Sequence, residues 1–516
     1  MYKHLLSVGG MTLLSRATGF LRDVLLGAIL GAGALADAFV VAFRLPNHFR
    51  AIFGEGAFNA AYVPTYSRAL EQNGADAARG FADQIFTLLV ASQFALLLLA
   101  WLFMGSLVDL LAPGFRAHPE THALAVTLTR ITFPYLMFVT LVTLLSGTLN
   151  AHRKFAAAAA APILLNLAMI VTLALAFVFP NAAYAAAWGV AIAGVLELAL
   201  LIAAARRAGV MTRFARLAMS EDVRRFFRTL GPAVIGSAGV QIAMFADTII
   251  ASLLPAGAVS SIYYADRLYQ LPIGVIGVAA GTVLLPEMSR RLAAGDRDAA
   301  FHAQNRTAAL TVALAMPFFV AFLMIPDVIV RGVFMRGKFD AQAAMASARV
   351  LEAYGFGLLA IVLIRSAVAS FQAQGDTRTP MIVSLIAVGV NVALKLALYN
   401  SMGAAGLALA TSIGAWVNFG LLAALALRRG AMEPDLILAK TTAAAAIAGF
   451  ALAPAAMAFW LPTWRTAQAF GAGAPVAHLA LLGAAGVLVY ALVLSAGLLV
   501  GGVKLARPRK AAPPQD

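Results

Sequence analysis

The chain has 516 residues, of which 62% are hydrophobic and only 12% are charged, and its net charge is +15. Apolar stretches of about twenty residues, the length that crosses a bilayer, recur along it, which indicates a polytopic helical membrane protein and excludes the soluble classes. There is no cysteine, so disulfides, thiolate metal sites and cysteine nucleophiles are also excluded.

Apolar windows predict fourteen transmembrane helices. In chain order they are 4–30, 34–56, 81–111, 122–149, 157–180, 183–206, 225–254, 257–288, 304–330, 342–373, 380–400, 403–428, 437–461 and 476–503. The sequence therefore predicts an all-α polytopic fold.

The basic residues are distributed unevenly between the two ends of these helices. Of the 38 lysines and arginines, 24 fall on the side of the N-terminus, 5 on the opposite side and 9 within the predicted helices. The positive-inside rule then predicts that both termini are cytoplasmic. The basic character is explained by topology and by contact with membrane lipids, and we expect no nucleic-acid partner.

The stretch from Leu14 to Pro64 carries charges that a lipid-facing helix would not have. These are Arg16, Arg22, Asp23, Asp37, Arg44, Arg50 and Glu55. An ionised side chain at the membrane centre costs about 2.5–3.5 kcal/mol, so four arginines facing lipid would cost roughly 10 kcal/mol. They are better explained as lining a central cationic cavity, and the planar fork of arginine favours a diphosphate ligand over an organic cation.

Spacing pairs these charges within each helix. Arg16 and Asp23 lie seven residues apart, two helical turns, and Asp37 and Arg44 have the same spacing. We expect the carboxylates to hold the guanidinium groups in place before substrate arrives. Further along, Gly54 and Gly56 flank Glu55, and we predict a hinge or gate there.

An internal repeat is visible in the sequence. Residues 23–34 align without a gap on 247–258, and 63–70 match 285–292, at offsets of 224 and 222 residues. An even number of spans separates the copies, so the halves are parallel repeats, and substrate is expected between them. The predicted domains are a lobe of six helices (1–207), a second lobe of six (208–429), two additional helices (430–505) and a cytoplasmic tail (506–516).

No catalytic constellation is present. The chain has no P-loop, no glycine-rich dinucleotide turn and no GxSxG motif. Its paired carboxylates lie beside arginines, which keeps them ionised and unsuited to general acid catalysis. We expect a transporter, not an enzyme, with no cofactor and no metal.

Four motifs resemble those of the MurJ (MviN) lipid II flippases, in the multidrug/oligosaccharidyl-lipid/polysaccharide exporter superfamily. They begin at Ser15-Arg16, Asp37-Ala-Phe, Phe53-Gly-Glu55 and Tyr263-Tyr-Ala-Asp266-Arg267. The resemblance covers essentially the whole chain. It implies alternating-access movement of lipid II, the undecaprenyl-diphosphate-linked peptidoglycan precursor, from the cytoplasmic to the periplasmic leaflet of the bacterial inner membrane.

The resemblance also assigns six positions to substrate binding. Three arginines engage the diphosphate, one acid orients them, and two further charges are needed for function. In that order they are Arg22, Arg50, Arg267, Asp23, Arg16 and Asp37. Predicted helices 13 and 14 match the pair that forms a groove for the lipid tail.

Some family members carry a sodium site, and its positions resemble Asp247, Asn391, Lys395 and Thr411 of this chain. Lys395 stands where the sodium-binding member has a carboxylate. We predict that its ammonium replaces the ion. The alternative is that Lys395 extends to the periplasmic surface.

Other functions remain open at this point. An exporter of another lipid-linked oligosaccharide would use a similar cavity. A multidrug exporter of the same superfamily is disfavoured by the arginines, since an organic cation requires inward-facing carboxylates and aromatic rings. A membrane glycosyltransferase or a scaffold is disfavoured, because the sequence offers neither a candidate acid/base pair nor an extramembrane domain.

Overall fold

The computed structural model describes residues 2–54, 57–216 and 218–503, without the side chains of 2–8, 48–54, 235–243, 278–280 and 282. Within the described ranges the chain is helical and contains no strand, so the predicted all-α class is confirmed. The predicted tail, 506–516, lies outside them.

Eighteen α-helices are present in the described residues. They are α1 (Tyr2–Leu30), α2 (Ala34–Gly54), α3 (Ala57–Leu102), α4 (Met104–Leu111), α5 (Pro119–Thr132), α6 (Pro134–Ala151), α7 (Ala156–Ala174), α8 (Ala182–Ala208), α9 (Glu221–Ser252), α10 (Ala258–Pro272), α11 (Val278–Ala293), α12 (Arg297–Met324), α13 (Pro326–Phe334), α14 (Ala341–Gly355), α15 (Leu358–Gln372), α16 (Arg378–Arg428), α17 (Leu436–Ala467) and α18 (Ala474–Val500).

Eight stretches of the described chain are long and apolar enough to cross a membrane. Five of them contain an internal break, including those at Gly403 within α16 and at Gly471 between α17 and α18. The helices α1, α2, α9 and α10 are not among these eight stretches, and α10 is only 15 residues long. The chain is a multi-pass helical membrane protein.

Several predicted helices are interrupted in the structure; the one predicted at 304–330, for example, breaks at Ile325, before Pro326. The helix predicted at 122–149 breaks at Phe133, because Pro134 has no N–H to continue the ladder. The one predicted at 257–288 ends its regular part at Pro272 and continues as a π-helix, Ile273–Gly277. The one predicted at 342–373 breaks between two glycines.

The helix predicted at 81–111 is also corrected, because α3 begins much earlier, at Ala57, and turns at Gly74 (φ 84°). Its first part buries residues at helical spacing on one face. They are Phe58, Ala61, Tyr62, Thr65, Tyr66 and Ala69. This half-polar stripe gives no signal in a search for apolar windows, which is why the sequence prediction missed it.

Helix boundaries recur along the chain. α5 and α14 begin 222 residues apart, as do α7 and α16. The beginnings of α2 and α10 are 224 residues apart, the offset at which residues 23–34 align on 247–258. The chain therefore repeats its helix starts as well as its sequence.

By packing, the chain forms two compact units. The first comprises residues up to Tyr264 together with Phe334–Ala346 and Tyr399–Ala404. The second comprises Ala265–Val333, Ser347–Leu398 and Ala405–Asp516.

Candidate functional site

Arg22 and Asp23 form a buried ion pair on α1, within the first unit. The guanidinium donates to Asp23 Oδ1 from Nε at 3.0 Å and from Nη2 at 2.7 Å. Arg22 is 7% exposed and Asp23 is 3% exposed. Two donors on one oxygen fix the plane of the guanidinium, as a charge-assisted pair does.

Two further side chains complete this arrangement, which we call the Arg22 network: Arg22, Asp23, Asn166 and Tyr263. Arg22 Nη1 donates to Asn166 Oδ1 at 2.9 Å, and the Tyr263 hydroxyl donates to Asp23 Oδ1 at 2.9 Å. The amide nitrogen of Asn166 donates in turn to the Ser15 carbonyl at 2.9 Å. The network thus joins α1, α7 and α10 through buried polar contacts.

Helix α7 approaches α1 closely at this point. A Cβ atom on Gly19 would come within 3.3 Å of Asn166 Nδ2. The absence of a side chain at Gly19 leaves room for the amide to reach the α1 backbone. Asn166 is therefore positioned by both its hydrogen bonds and the local packing.

The other arginines assigned to the substrate are placed differently. Arg16 is exposed on α1, two turns from Asp23. Arg50 belongs to α2, but its side chain lies outside the described ones. Arg267 is half-buried on α10 and belongs to the second unit. The structure brings Arg22 and Asp23 together and leaves the joint action of the remaining arginines as a prediction.

Asp37 serves backbone groups at the start of α10. Its carboxylate, 2% exposed, accepts from the Gly257 N–H at 2.6 Å and from the Ser260 N–H at 2.7 Å. Helix N-termini have unsatisfied N–H groups and favour negative charge, so Asp37 caps α10 from another helix. Its role in substrate binding stays a prediction.

Arg44, the predicted partner of Asp37, bonds elsewhere. Its Nη1 donates to the Thr248 hydroxyl on α9 at 2.7 Å. The contacts of both charges on α2 therefore extend to the second copy of the repeat within the same compact unit.

A close backbone contact lies between α1 and the segment before α14. The Lys338 N–H donates to the Ala28 carbonyl at 2.8 Å. Gly31 and Gly337 flank it with φ values of +73° and +58°. A Cβ atom on Gly31 would come within 2.6 Å of the Lys338 carbonyl oxygen, and one on Gly337 would collide with the Ala28 carbonyl. Only glycine fits either position.

The predicted hinge lies largely outside the residues that the structure describes. Gly54 is the last residue of α2, and Glu55 and Gly56 lie outside the described residues. The hinge stays a prediction.

The positions that resemble a sodium site are divided between the two units. Asp247 is half-buried in the first unit, whereas Asn391, Lys395 and Thr411 belong to the second. Lys395 is 1% exposed, among the largest fully buried side chains. A lysine that extended to the surface would expose its ammonium, so the burial of Lys395 counts against that alternative.

Sequence reasoning missed Asn166 and Tyr263 as functional residues. A single asparagine in the apolar helix α7 gives no periodic signal, and Tyr263 is an uncharged residue beside the more conspicuous Asp266 and Arg267. A polar amide inside an otherwise apolar span is itself a usable signal, because its cost in the membrane demands a partner.

Comparisons with known proteins agree on one family. The family model described as "Lipid II flippase MurJ" matches residues 26–480. A "Probable lipid II flippase MurJ" of Rhizobium meliloti is 42% identical over 443 residues, covering 85% of this chain and 83% of that protein. A "Lipid II flippase MurJ" of Burkholderia cenocepacia is 36% identical over 446 residues, covering 84% and 85%.

Solved structures agree on the fold. A structure titled "Lipid II flippase MurJ, inward closed conformation" matches with a TM-score of 0.80 and 24% identity, over 96% of this chain and 99% of that one. An inward-facing multidrug resistance MATE transporter of the MOP superfamily matches with a TM-score of 0.66 and 15% identity, over 80% and 94%. The family is one of transporters and not of enzymes, and its match over most of the sequence shows that this chain belongs to the lipid II flippase MurJ family.

Proposed function

We propose that this chain moves lipid II across the bacterial inner membrane by alternating access. The observation that supports it most directly is the Arg22 network, because a guanidinium buried in a membrane protein and fixed by an acid and an amide is suited to a diphosphate. Family membership supplies the substrate class.

In this proposal Arg22, Arg50 and Arg267 engage the diphosphate, and Asp23 and Asn166 hold Arg22 in position. A guanidinium that is already oriented loses little freedom when the ligand arrives, so more of the contact energy appears as affinity. Arg16 contributes positive charge at the exposed part of α1. The undecaprenyl tail would remain in lipid, along a groove formed by α17 and α18.

The topology belongs to the same proposal. Fourteen membrane-spanning helices form two lobes of six around a cationic cavity, with two additional C-terminal helices, and both termini are cytoplasmic. The recurring helix starts support the lobes, and the excess of basic residues on one side supports the orientation.

Asp37 would act in the gate as well as in the cavity. In the proposed orientation the bonds from Asp37 to Gly257 and Ser260 lie at the periplasmic end of the helices. Holding them keeps that end closed, and releasing them opens it. The gate then has a closed and an open state, and substrate can shift the equilibrium between them.

Lys395 would supply a permanent positive charge where sodium-binding members of the family bind an ion. A tethered ammonium cannot dissociate, so the cycle of this chain would not depend on sodium at that position. Asn391 and Thr411 would then be polar neighbours and not ligands.

Restoration of growth tests the proposal. In a host whose own lipid II flippase is depleted, the chain should restore growth, and a variant carrying Arg22→Ala should not. Accumulation of both proteins must be measured in the membrane. A well-accumulated wild-type chain that failed to restore growth would direct attention to another lipid-linked oligosaccharide.

A further inference from the structure

The segment that connects α8 to α9 is fastened to α3. The Arg213 N–H donates to Asp83 Oδ1 at 2.7 Å, and the Ala215 N–H donates to Thr87 Oγ1 at 3.0 Å. The Ser220 hydroxyl donates to Gln84 Oε1 at 2.9 Å. Since the three acceptors lie within five residues of one helix, Arg213, Ala215 and Ser220 are held against one face of α3.

The first turns of α9 have two different faces. Val223 and Phe226 are buried in a cluster with the aromatic residues of α3. On the remaining surface Arg224, Arg225 and Phe227 are exposed. The inner face fixes the helix, and the outer face presents guanidinium groups beside an aromatic ring.

Large apolar side chains are exposed along the same stretch. Phe214 is 71% exposed, with one edge of its ring against Phe86 of α3 at a centroid distance of 5.2 Å, and Met219 is 65% exposed. Exposed apolar side chains next to basic ones are typical of a segment that lies in the membrane interface. The exposure of Phe214 and Met219 is therefore consistent with a surface that contacts the membrane interface.

The charge of the stretch is strongly one-sided. Between residues 206 and 228 all seven arginines are exposed, against two acids, Glu221 and Asp222. The arginines are Arg206, Arg207, Arg213, Arg216, Arg224, Arg225 and Arg228. An orientation signal requires only that these charges lie on the cytoplasmic side, whereas their combination with exposed apolar side chains on a fixed backbone forms a surface complementary to an anionic lipid layer.

We propose that the exposed residues of 206–216 and 218–228 form a docking surface for anionic phospholipid of the cytoplasmic leaflet. The guanidinium groups bind phosphodiester headgroups, and Phe214, Met219 and Phe227 enter the boundary between headgroups and acyl chains. The proposal goes beyond transport of lipid II and rests only on the orientation proposed above.

The test is direct lipid binding by the full-length chain. The purified protein in a neutral detergent is titrated with phosphatidylglycerol or with phosphatidylcholine of the same chain length, and its melting temperature is followed. We expect phosphatidylglycerol alone to raise it. Since each arginine near an anionic surface contributes about fivefold in affinity, Arg213→Gln, Arg216→Gln and Arg224→Gln together should weaken binding roughly a hundredfold.

The matched control removes three exposed basic residues elsewhere on the same predicted side. They are Arg378, Arg428 and Lys440, each changed to Gln. This control should bind phosphatidylglycerol as the wild type does. Equal weakening in both triple variants, or no preference for phosphatidylglycerol in the wild type, would overturn the proposal.

Two further measurements separate a lipid surface from a simple anion site. Met219→Gln keeps every arginine, so weaker phosphatidylglycerol binding by this variant supports insertion of the apolar side chains, and unchanged binding contradicts it. Inorganic diphosphate should not compete with phosphatidylglycerol at this surface. Full competition would indicate a site for free phosphate groups and would also overturn the proposal. None of these measurements depends on transport, so their failure is distinct from a failure of lipid II flipping.

Discussion

Asp23 and Asp247 occupy the same position in the two copies of the repeat, yet their surroundings differ. Asp23 is preceded by Arg22, is buried and accepts from Arg22 and from Tyr263. Asp247 is preceded by Ala246 and is only half-buried. Repetition has preserved the helix and the acid, whereas the chemistry depends on the neighbour that only the first copy has.

The following helices differ in the same way. Asp37 of the first copy corresponds to Ser261 in the second at the offset of 224 residues. Asp37 caps the start of the second copy's helix, α10. Asp37 of the first copy thus bonds to the second copy, whereas Ser261 has no carboxylate with which to make the equivalent contact. Function should be tested at residues that differ between the two copies in this way.

The largest expected effect comes from removing the arginine that distinguishes the first copy. Arg22→Ala should abolish restoration of growth. It should also lower the free energy of unfolding by about 3–5 kcal/mol, because Asp23 is left as a buried carboxylate without its cation. Thermal melts beside the growth assay measure both effects.

The double variant Arg22→Ala/Asp23→Asn separates the two roles of Arg22. Neutralising residue 23 should recover most of the stability but no transport. Recovery of transport by the double variant would mean that Arg22 only balances Asp23 and does not bind substrate.

The second half of the chain contains a buried lysine, Lys395. Lys395→Ala should lower the free energy of unfolding by about 3 kcal/mol, because the groups that balance a buried ammonium are left uncompensated when it is removed. The wild type should melt at the same temperature in sodium and potassium buffers, whereas Lys395→Asp should become stabilised by sodium. Lys440→Ala, on an exposed lysine, is the control. Clear sodium stabilisation of the wild type would refute the replacement of an ion.

The cap that Asp37 provides at the start of α10 can be removed by substitution. Asp37→Ala removes two charge-assisted bonds worth about 2 kcal/mol, enough to shift the closed-to-open ratio roughly thirtyfold. The wild-type chain has no cysteine, so a single Val259→Cys, buried on α10, reports opening by its rate of labelling. Asp340→Asn is the control, since Asp340 caps Ala343 within the same unit. Unchanged labelling after Asp37→Ala would remove Asp37 from the gate.

The smallest expected effect tests the amide that supports Arg22. Asn166→Ala should cost about 1.5–3 kcal/mol of buried hydrogen bonding to a charged group, and it should slow transport without abolishing it. Asn166→Asp keeps an acceptor for Arg22 but loses the donor to Ser15, so it should transport better than the alanine variant. Thr172→Ala on the same helix is the control. If Asn166→Ala transported at the wild-type rate, the amide would have only a structural role.

The sequence predicted the features that depend on local chemistry. The cost of charge in a membrane identified Arg22 and Asp23, and helical spacing placed charges on shared faces. The apolar windows placed the end of the first helix at residue 30, where α1 ends. Each of these follows from a few neighbouring residues.

The features that the sequence did not predict depend on distant packing. Asn166 lies 144 residues from Arg22, and no local pattern connects them. Asp37 was paired with Arg44 by spacing, but the hydrogen bonds of Asp37 go to the start of α10 and that of Arg44 goes to Thr248 on α9. The interruptions at Phe133 and after Pro272 were drawn as continuous helices, because an apolar window is insensitive to one missing hydrogen bond.

The contact of Gly31 and Gly337 with opposing carbonyls has a consequence for how this chain can evolve. The contact lies at the same end of α1 as the bonds made by Asp37 at the start of α2, so in the proposed gate it would open together with them and then leave space for a side chain. Selection against larger residues at these two positions therefore acts on a single conformation of the transporter. The tolerance of each residue to substitution can be measured in growing cells. It would show in which conformation of the transporter that residue is closely packed.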